Sequence, residues 1–290
     1  MIILILVHKH LRKTLDIIDI ANRNSSVVKI YLLLSNDTEI NNERLNKYLK
    51  DYHSKIISIN HKYEGIKGAW LRAMEIGASE NSDFLIFEND IIPTSFFLDY
   101  SKLAFSFYRN ENKIYGFTGY TPKRITKISF DLDTFLSYRF GSWSFATYPR
   151  IAKKFLIFIK ETPINKIGEI LWKNKSKIGK DAYFHYLSDQ SLNRNLFGYI
   201  WIAFMISNKG LWLYPSEHLV SCYGNDKYAT NVKSGKDILS KYKNLNFNQV
   251  RINFMPVNNF SKKHNKKVIN FYYPNILHRL INKIKKIITS

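Results

Sequence analysis

The stretch Phe84-Leu85-Ile86-Phe87-Glu88-Asn89-Asp90-Ile91-Ile92-Pro93 decides how the rest of the chain is read. Its first four residues are continuously apolar and follow a helix-like segment at 66–78. A strand buried on both faces of a parallel sheet has this form, whereas a half-buried strand alternates. The run then stops on acids. Glu88 and Asp90 are two residues apart, so an extended backbone points both to one side and Asn89 to the other. Hard oxygen ligands at the C-terminal end of a strand in an α/β pattern sit where such sheets bind ligands. Two carboxylates there suit Mg2+ or Mn2+ carrying a diphosphate, because that ion keeps waters and takes one or two carboxylates besides phosphate oxygens. The competing reading is a solvated turn before Pro93, since Asn, Asp and Pro are ordinary loop formers.

Toward the N-terminus, residues 2–7 read as a buried strand, and Leu11, Leu15, Ile18 and Ala21 recur behind it at helical spacing. The opening run has neither the basic flank nor the small cleavage residues of a secretory signal, so it is taken as strand. Residues 27–34 form a second buried strand ending at Ser35-Asn36-Asp37, and 56–59 a shorter third, with Leu45 and Leu49 suggesting a helix between them. Alternating strands and helices predict right-handed βαβ units and a parallel sheet. Lys67 stands near the start of the 66–78 helix, where it can meet a phosphate; a charged solvent face is the alternative.

Toward the C-terminus comes an aromatic helix, 96–107, and then Ile114-Tyr115-Gly116-Phe117-Thr118-Gly119-Tyr120, a strand-like run whose glycines allow a bulge or close backbone approach. In the segment 140–148, Trp143 stands among small residues, including Ser142, and a flat aromatic there suits stacking on a sugar ring; burial in the core is the alternative. Residues 151–180 are helical and basic in pattern. Asp189 precedes a helix-like segment at 200–206, a turn at Asn208-Lys209-Gly210 and an apolar strand ending at Tyr214-Pro215.

The 290 residues suffice for one large α/β domain, and 45% hydrophobic with 15% aromatic content excludes a disordered chain. A lone cysteine, Cys222, cannot form an intramolecular disulfide. The net charge of +21 calls for an anionic partner, whether nucleic acid, membrane or phosphorylated substrate. No zinc spacing, RNP-like aromatic pattern or helix-turn-helix signal supports nucleic acid, so none is expected. At the end of the chain, Pro274-Asn275 is a helix start, after which Ile276, Leu277, Leu280, Ile281, Ile284, Ile287 and Ile288 share one face, with Arg279, Lys283, Lys285 and Lys286 largely elsewhere. Such a basic amphipathic helix can lie on an anionic leaflet or dock on the protein itself.

The apolar strand running into Glu88-Asn89-Asp90, then Pro93 and the aromatics Phe96, Phe97 and Tyr100, resembles the acidic signature of nucleotide-sugar glycosyltransferases of the GT-A fold. Asn89 is a departure, since the relatives usually carry an acid there. The order that follows resembles bacterial surface-polysaccharide and lipooligosaccharide sugar transferases: the Trp143 segment, Asp189, a Gly-containing turn, Tyr214-Pro215, Leu219-Val220 and a loop at 223–231. The resemblance implies a GT-A-like α/β domain over 1–265, with a mostly parallel central sheet flanked by helices. Residues 1–120 form its nucleotide-sugar half and 121–265 its acceptor half, with the basic tail at 266–290. It implies Mn2+ or Mg2+ held by Asp90 and Glu88, donor contacts from Val7, His8, Asp37, Lys67 and Asn89, and a sugar or acceptor against Trp143 and Ser142. Asp189 would be the general base of an inverting displacement. The expected reaction moves a sugar from a nucleoside diphosphate to a hydroxyl of a surface glycan or lipid-linked glycan. The expected place is the cytoplasmic face of a bacterial inner membrane. A nucleotidyltransferase of related fold and a non-catalytic basic protein that binds nucleic acid or membrane are the alternatives.

Overall fold

The structure, a computed structural model, describes residues 1–7, 11–34, 47, 49–50, 56–60, 65–121, 125, 133–223 and 252–273. His8, Asp37, the loop at 224–231 and the basic amphipathic pattern at 276–288 lie outside the described residues. The first half of the chain forms β1 (Ile2–Val7), α1 (Leu11–Arg23), β2 (Lys29–Leu34), β3 (Ile56–Asn60), α2 (Gly65–Ser79), β4 (Phe84–Glu88), β5 (Ile91–Pro93), α3 (Ser95–Phe107) and β6 (Ile114–Phe117). The second half forms β7 (Thr134–Ser137), β8 (Phe145–Thr147), α4 (Pro149–Glu161), α5 (Ile164–Lys173), α6 (Lys175–Ile178), α7 (Asp181–Leu192), α8 (Gly198–Ser207), β9 (Leu211–Pro215), β10 (Val220–Cys222) and α9 (Lys262–Tyr272).

Eight strands make one sheet in the order β3-β2-β1-β4-β8-β6-β9-β7, and β10 pairs with β5 in a separate antiparallel ribbon. Neighbours from β3 to β4 are parallel, β8 is antiparallel to β4 and β6, β9 is parallel to β6, and β7 is antiparallel to β9. Strands β3, β2, β1, β4, β6 and β9 therefore share one direction, which is the mostly parallel sheet expected. Their C-terminal ends lie along one edge, with the start of β8 among them because β8 runs the other way.

Strand β4 is central, and its apolar run is buried from Phe84 to Phe87. Alternation sends Phe84 to one face and Phe87 to the other. Phe84 lies against α2, where a Cβ on Gly77 would come within 2.4 Å of its ring, so the small residue is what lets helix and strand close. Phe87 meets Phe97 of α3 edge-on at 6.1 Å. Helices α2 and α3 thus cover opposite faces. Helix α3 starts where Thr94 caps it, its hydroxyl accepting from the Phe97 amide at 3.0 Å and donating to the Leu219 carbonyl at 2.8 Å. That second bond also ties the helix start to the approach to β10. The bulge expected among the glycines of β6 is present: the register with β9 shifts between Ile114 and Gly116.

One hydrophobic core runs from Ile2 to Val268, through both expected halves. Helix α9 belongs to it. Val268 is fully buried, and Asn265 accepts from the Ser137 hydroxyl at 2.7 Å and donates to the Lys177 carbonyl at 2.9 Å. The expected domain limit at 265/266 therefore falls inside a helix packed on the main body.

Candidate active site at the C-terminal end of β4

Strand β4 ends at Glu88, and Asn89 and Asp90 form the turn that leads into β5. The backbone is not extended through Asp90, so strand alternation is not what relates the two acids, as the sequence reading had it; the turn sets their relation. Glu88 shares the parity of Phe84 and points to the α2 face, where Trp70 hydrogen-bonds it. Burial first, and the nearby charge of Asp90 second, push the Glu88 carboxyl up to about 7 from an ordinary 4.5, against the Trp70 bond. A carboxylate set among apolar groups, a neutral indole and a second carboxylate is a site that a divalent cation would complete. Among the described residues no group of three or more His, Cys, Asp or Glu forms a metal cluster. A diphosphate-bound Mg2+ or Mn2+ needs fewer, because phosphate and water supply the remaining oxygens.

The folded chain holds the Glu88 proton more tightly than the unfolded one, so the stability this group contributes is full below about pH 4.5 and is lost as pH rises through 7. In metal-free protein, Glu88→Gln is therefore expected to be more stable than the wild type at pH 8, by on the order of 2 kcal/mol, with the difference gone by about pH 4. Thermal unfolding of both proteins across that range checks it, and parallel pH profiles would refute it.

Lys67 lies one helical turn before Trp70, on the same side of α2. Its ammonium is 3.3 Å from Oδ2 of Asp189. The Tyr199 hydroxyl donates to the same oxygen at 2.8 Å, and the Leu196 amide to Oδ1 at 2.9 Å. Burial alone would raise the Asp189 carboxyl, but the Leu196, Tyr199 and Lys67 donors outweigh it and hold it below the ordinary range. Asp189 is therefore ionised at neutral pH, and the stability it contributes is lost only as pH falls through that depressed value. The segment joining α7 to α8 is fixed against α2 twice. Phe197 stacks on Trp70 at 4.8 Å, and Gly65, at φ +67°, packs on Asn195 with room for no more than ordinary contact. The first two turns of α2 thus meet Glu88 through Trp70 and Asp189 through Lys67.

Asp189 precedes the expected 200–206 helix, which is α8, and itself lies within α7, on the buried side with Ala182. No helix is read over 181–192, because Phe184, Leu187 and Leu192 are exposed and leave no apolar stripe. Lys67, expected at a donor phosphate, is paired with Asp189. Val7 and Asn89, expected to touch the donor, are buried at 2% and 6% exposure and offer it little side-chain surface. The Asn89 Nδ2 has no hydrogen-bond partner among the described residues.

Trp143 and Ser142 are half-buried and precede β8, whose first residue pairs with Ile86, so they stand beside the end of β4. The Thr118 and Ser144 hydroxyls both donate to the Trp143 carbonyl, and the Gly119 amide donates to the Ser144 hydroxyl at 2.8 Å. These bonds hold Ser144 at φ +58°, a left-handed conformation uncommon outside glycine. The Tyr120 ring lies 4.2 Å from that of Trp143, making an aromatic pair at the sheet edge. Tyr120, Trp70 and Tyr199 escaped the sequence reading. Tyr120 alone left a signal, as an aromatic just past the end of a parallel strand.

No protein family and no curated protein matches the sequence. Several solved structures resemble the chain. A mannosyltransferase from Pyrobaculum calidifontis, in complex with GDP-Man and Mn2+, covers 56% of this chain and 47% of its own at 9% identity, with a TM-score of 0.39. The glycosyltransferase GlyE of Streptococcus pneumoniae covers 67% and 50% at 14% identity and a TM-score of 0.35. The glucosyl-3-phosphoglycerate synthase of Mycobacterium tuberculosis, in complex with Mn2+, UDP and phosphoglyceric acid, covers 65% and 77% at 10% identity and a TM-score of 0.36. The chain spans about half the length of the first two. Its chemistry rests on its own residues at the end of β4 and beside α2.

Proposed function

We propose that this chain is a metal-dependent glycosyltransferase that moves a sugar from a nucleoside diphosphate to a hydroxyl of a glycan acceptor. The observation that carries the reading is the half-buried Glu88 beside Asp90 at the C-terminal end of a central parallel strand, with its carboxyl pushed up to about 7. Asp90 and Glu88 would hold the cation. Mn2+ or Mg2+ bound there would neutralise the charge of the departing diphosphate. Asp189, ionised and fixed beside the same helix, takes the proton of the acceptor hydroxyl as its oxygen bonds to the anomeric carbon and the bond to the diphosphate breaks. Attack from the face opposite the diphosphate inverts the sugar. Trp143 with Tyr120 offers the flat apolar surface on which a sugar ring stacks.

A bacterial surface glycan as acceptor, and the cytoplasmic face of the inner membrane as location, belong to this proposal; the basic amphipathic pattern at 276–288 and the net charge of +21 support them. The test is a thermal-shift screen of nucleoside diphosphate sugars, nucleoside triphosphates and a short oligonucleotide, each with and without Mn2+. The expected result is stabilisation by one nucleoside diphosphate and its sugar, dependent on Mn2+, of about 3 kcal/mol at a hundredfold excess over Kd. Stabilisation by triphosphates alone would assign a nucleotidyltransferase. A response only to the oligonucleotide would assign a binding protein.

A further inference from the structure

Helices α5 and α7 pack through Gly168, where a Cβ would stand 2.5 Å from the Tyr186 ring. Beside that seam the rings of Trp172 and Tyr183 meet at 5.0 Å. The inner side of α7 carries Ala182 and Asp189, while Phe184 and Leu187, three residues apart, project from its outer side. Trp172, Phe184 and Leu187 are 45%, 44% and 42% exposed. Isolated exposed apolar residues are ordinary, but neighbouring ones that include large aromatics mark an interaction surface.

The charge around them has one sign. From Arg150 to Lys180 the chain has nine basic residues and two acidic ones, Glu161 and Glu169, and Glu169 is paired with Lys166 at 2.8 Å. Both acids of α7 turn inward, Asp181 to Arg139 at 2.7 Å and Asp189 to Lys67. The Lys175 ammonium lies 3.8 Å over the Trp172 ring, and the Lys180 carbonyl accepts the Phe184 amide at 3.1 Å, which keeps that lysine within a turn of the apolar residues.

We infer that this face of α5 and α7, Trp172 with Phe184 and Leu187 bordered by Lys173, Lys175 and Lys180, docks on an anionic bilayer. Its chemistry selects that occupant. Lysines reach the headgroups while Trp172, Phe184 and Leu187 enter the headgroup and acyl boundary. Nucleic acid would use the cations but not the apolar centre, and a second copy of the chain would set like charges against each other. The patch also continues toward the tail: the Phe184 ring is 6.0 Å from that of Tyr273, after which the sequence runs into the basic amphipathic pattern of 276–288. Since α7 carries Asp189 on its inner side, docking would bring the candidate site close to the leaflet. The inference does not depend on the sugar-transfer reading and fails or stands separately from it.

The test uses the full chain with vesicles of phosphatidylcholine containing about 30 mol% phosphatidylglycerol, and quenching of tryptophan fluorescence by brominated phosphatidylcholine. The chain has five tryptophans; Trp70, Trp201 and Trp212 are buried, Trp143 is half-buried, and none lies beyond residue 212, so the tail contributes no signal. Binding is expected with quenching that W172F largely removes while still binding, and the exposed double change Phe184→Ser with Leu187→Ser is expected to lower partitioning roughly tenfold. Circular dichroism confirms that both variants fold. Binding whose quenching is the same in W172F, partitioning unmoved in the double variant, or no binding at low salt would each overturn the proposal. The first outcome would mean that the tail alone holds the bilayer, or that the tail or a second copy covers the face.

Discussion

Asp90→Ala is expected to remove the Mn2+-dependent part of nucleoside diphosphate binding and to lower turnover by about 10³-fold, the several kcal/mol that a metal clamp on a leaving diphosphate supplies. The chain should remain folded. The Asp90 backbone carbonyl accepts the Tyr223 amide at 2.9 Å, and alanine keeps that bond. Removing the Asp90 charge also relieves one of the two forces that push Glu88 up, so stability near neutral pH should hold or rise. Glu88→Ala differs, because it strips the Trp70 indole of its acceptor in the core, at about 1–3 kcal/mol. Titration calorimetry with a nucleoside diphosphate, with and without Mn2+, reads the first effect, and thermal unfolding reads the second. A folded Asp90→Ala protein with unchanged Mn2+-dependent affinity would remove Asp90 from the site.

The same region shows what a sequence can carry. Four consecutive apolar residues, Phe84 to Phe87, bounded by a helical pattern and by acids, can hardly be other than a doubly covered strand, and β4 has those limits. Helix α2 extends only one residue beyond the expected 66–78 at either end, and its buried residues run along that whole span, from Gly68 to Ala78. Partners across the fold left no such trace. Trp70 and Glu88 meet because a helix and the strand after it pack, and Tyr199 reaches Asp189 because two helices fold back on each other. Neither contact has a period or a spacing. The turn at Asn89 and Asp90 was legible as residue types but not as geometry, since the same letters serve a strand end and a buried turn. In α7 the failure has a cause of another kind. A helix that keeps apolar residues on its outside, as α7 keeps Phe184, Leu187 and Leu192, loses the stripe by which helices are recognised.

Asp189→Asn is expected to lower turnover by about 10²–10⁴-fold with little change in donor affinity, if Asp189 receives the acceptor proton only in the transition state. Both oxygens already accept hydrogen bonds, from Leu196, Tyr199 and Lys67, and an amide turned toward Lys67 would set donor against donor. The variant should therefore also lose about 1–3 kcal/mol of stability, and its lowered turnover alone would not separate a base from a residue that fixes α7 to α2. Tyr199→Phe separates them. It leaves the carboxylate and removes one of the donors that depress it, so the Asp189 carboxyl should rise. A base works only when ionised, so the rate falls as pH drops through its pKa, and a higher pKa moves that acid limb upward. If Asp189 is the base, the pH profile of kcat in Tyr199→Phe shifts to higher pH while the plateau stays within about tenfold of the wild type. An acid limb that stays in place, beside an Asp189→Asn protein of near-normal turnover, would transfer the proton to another carboxylate.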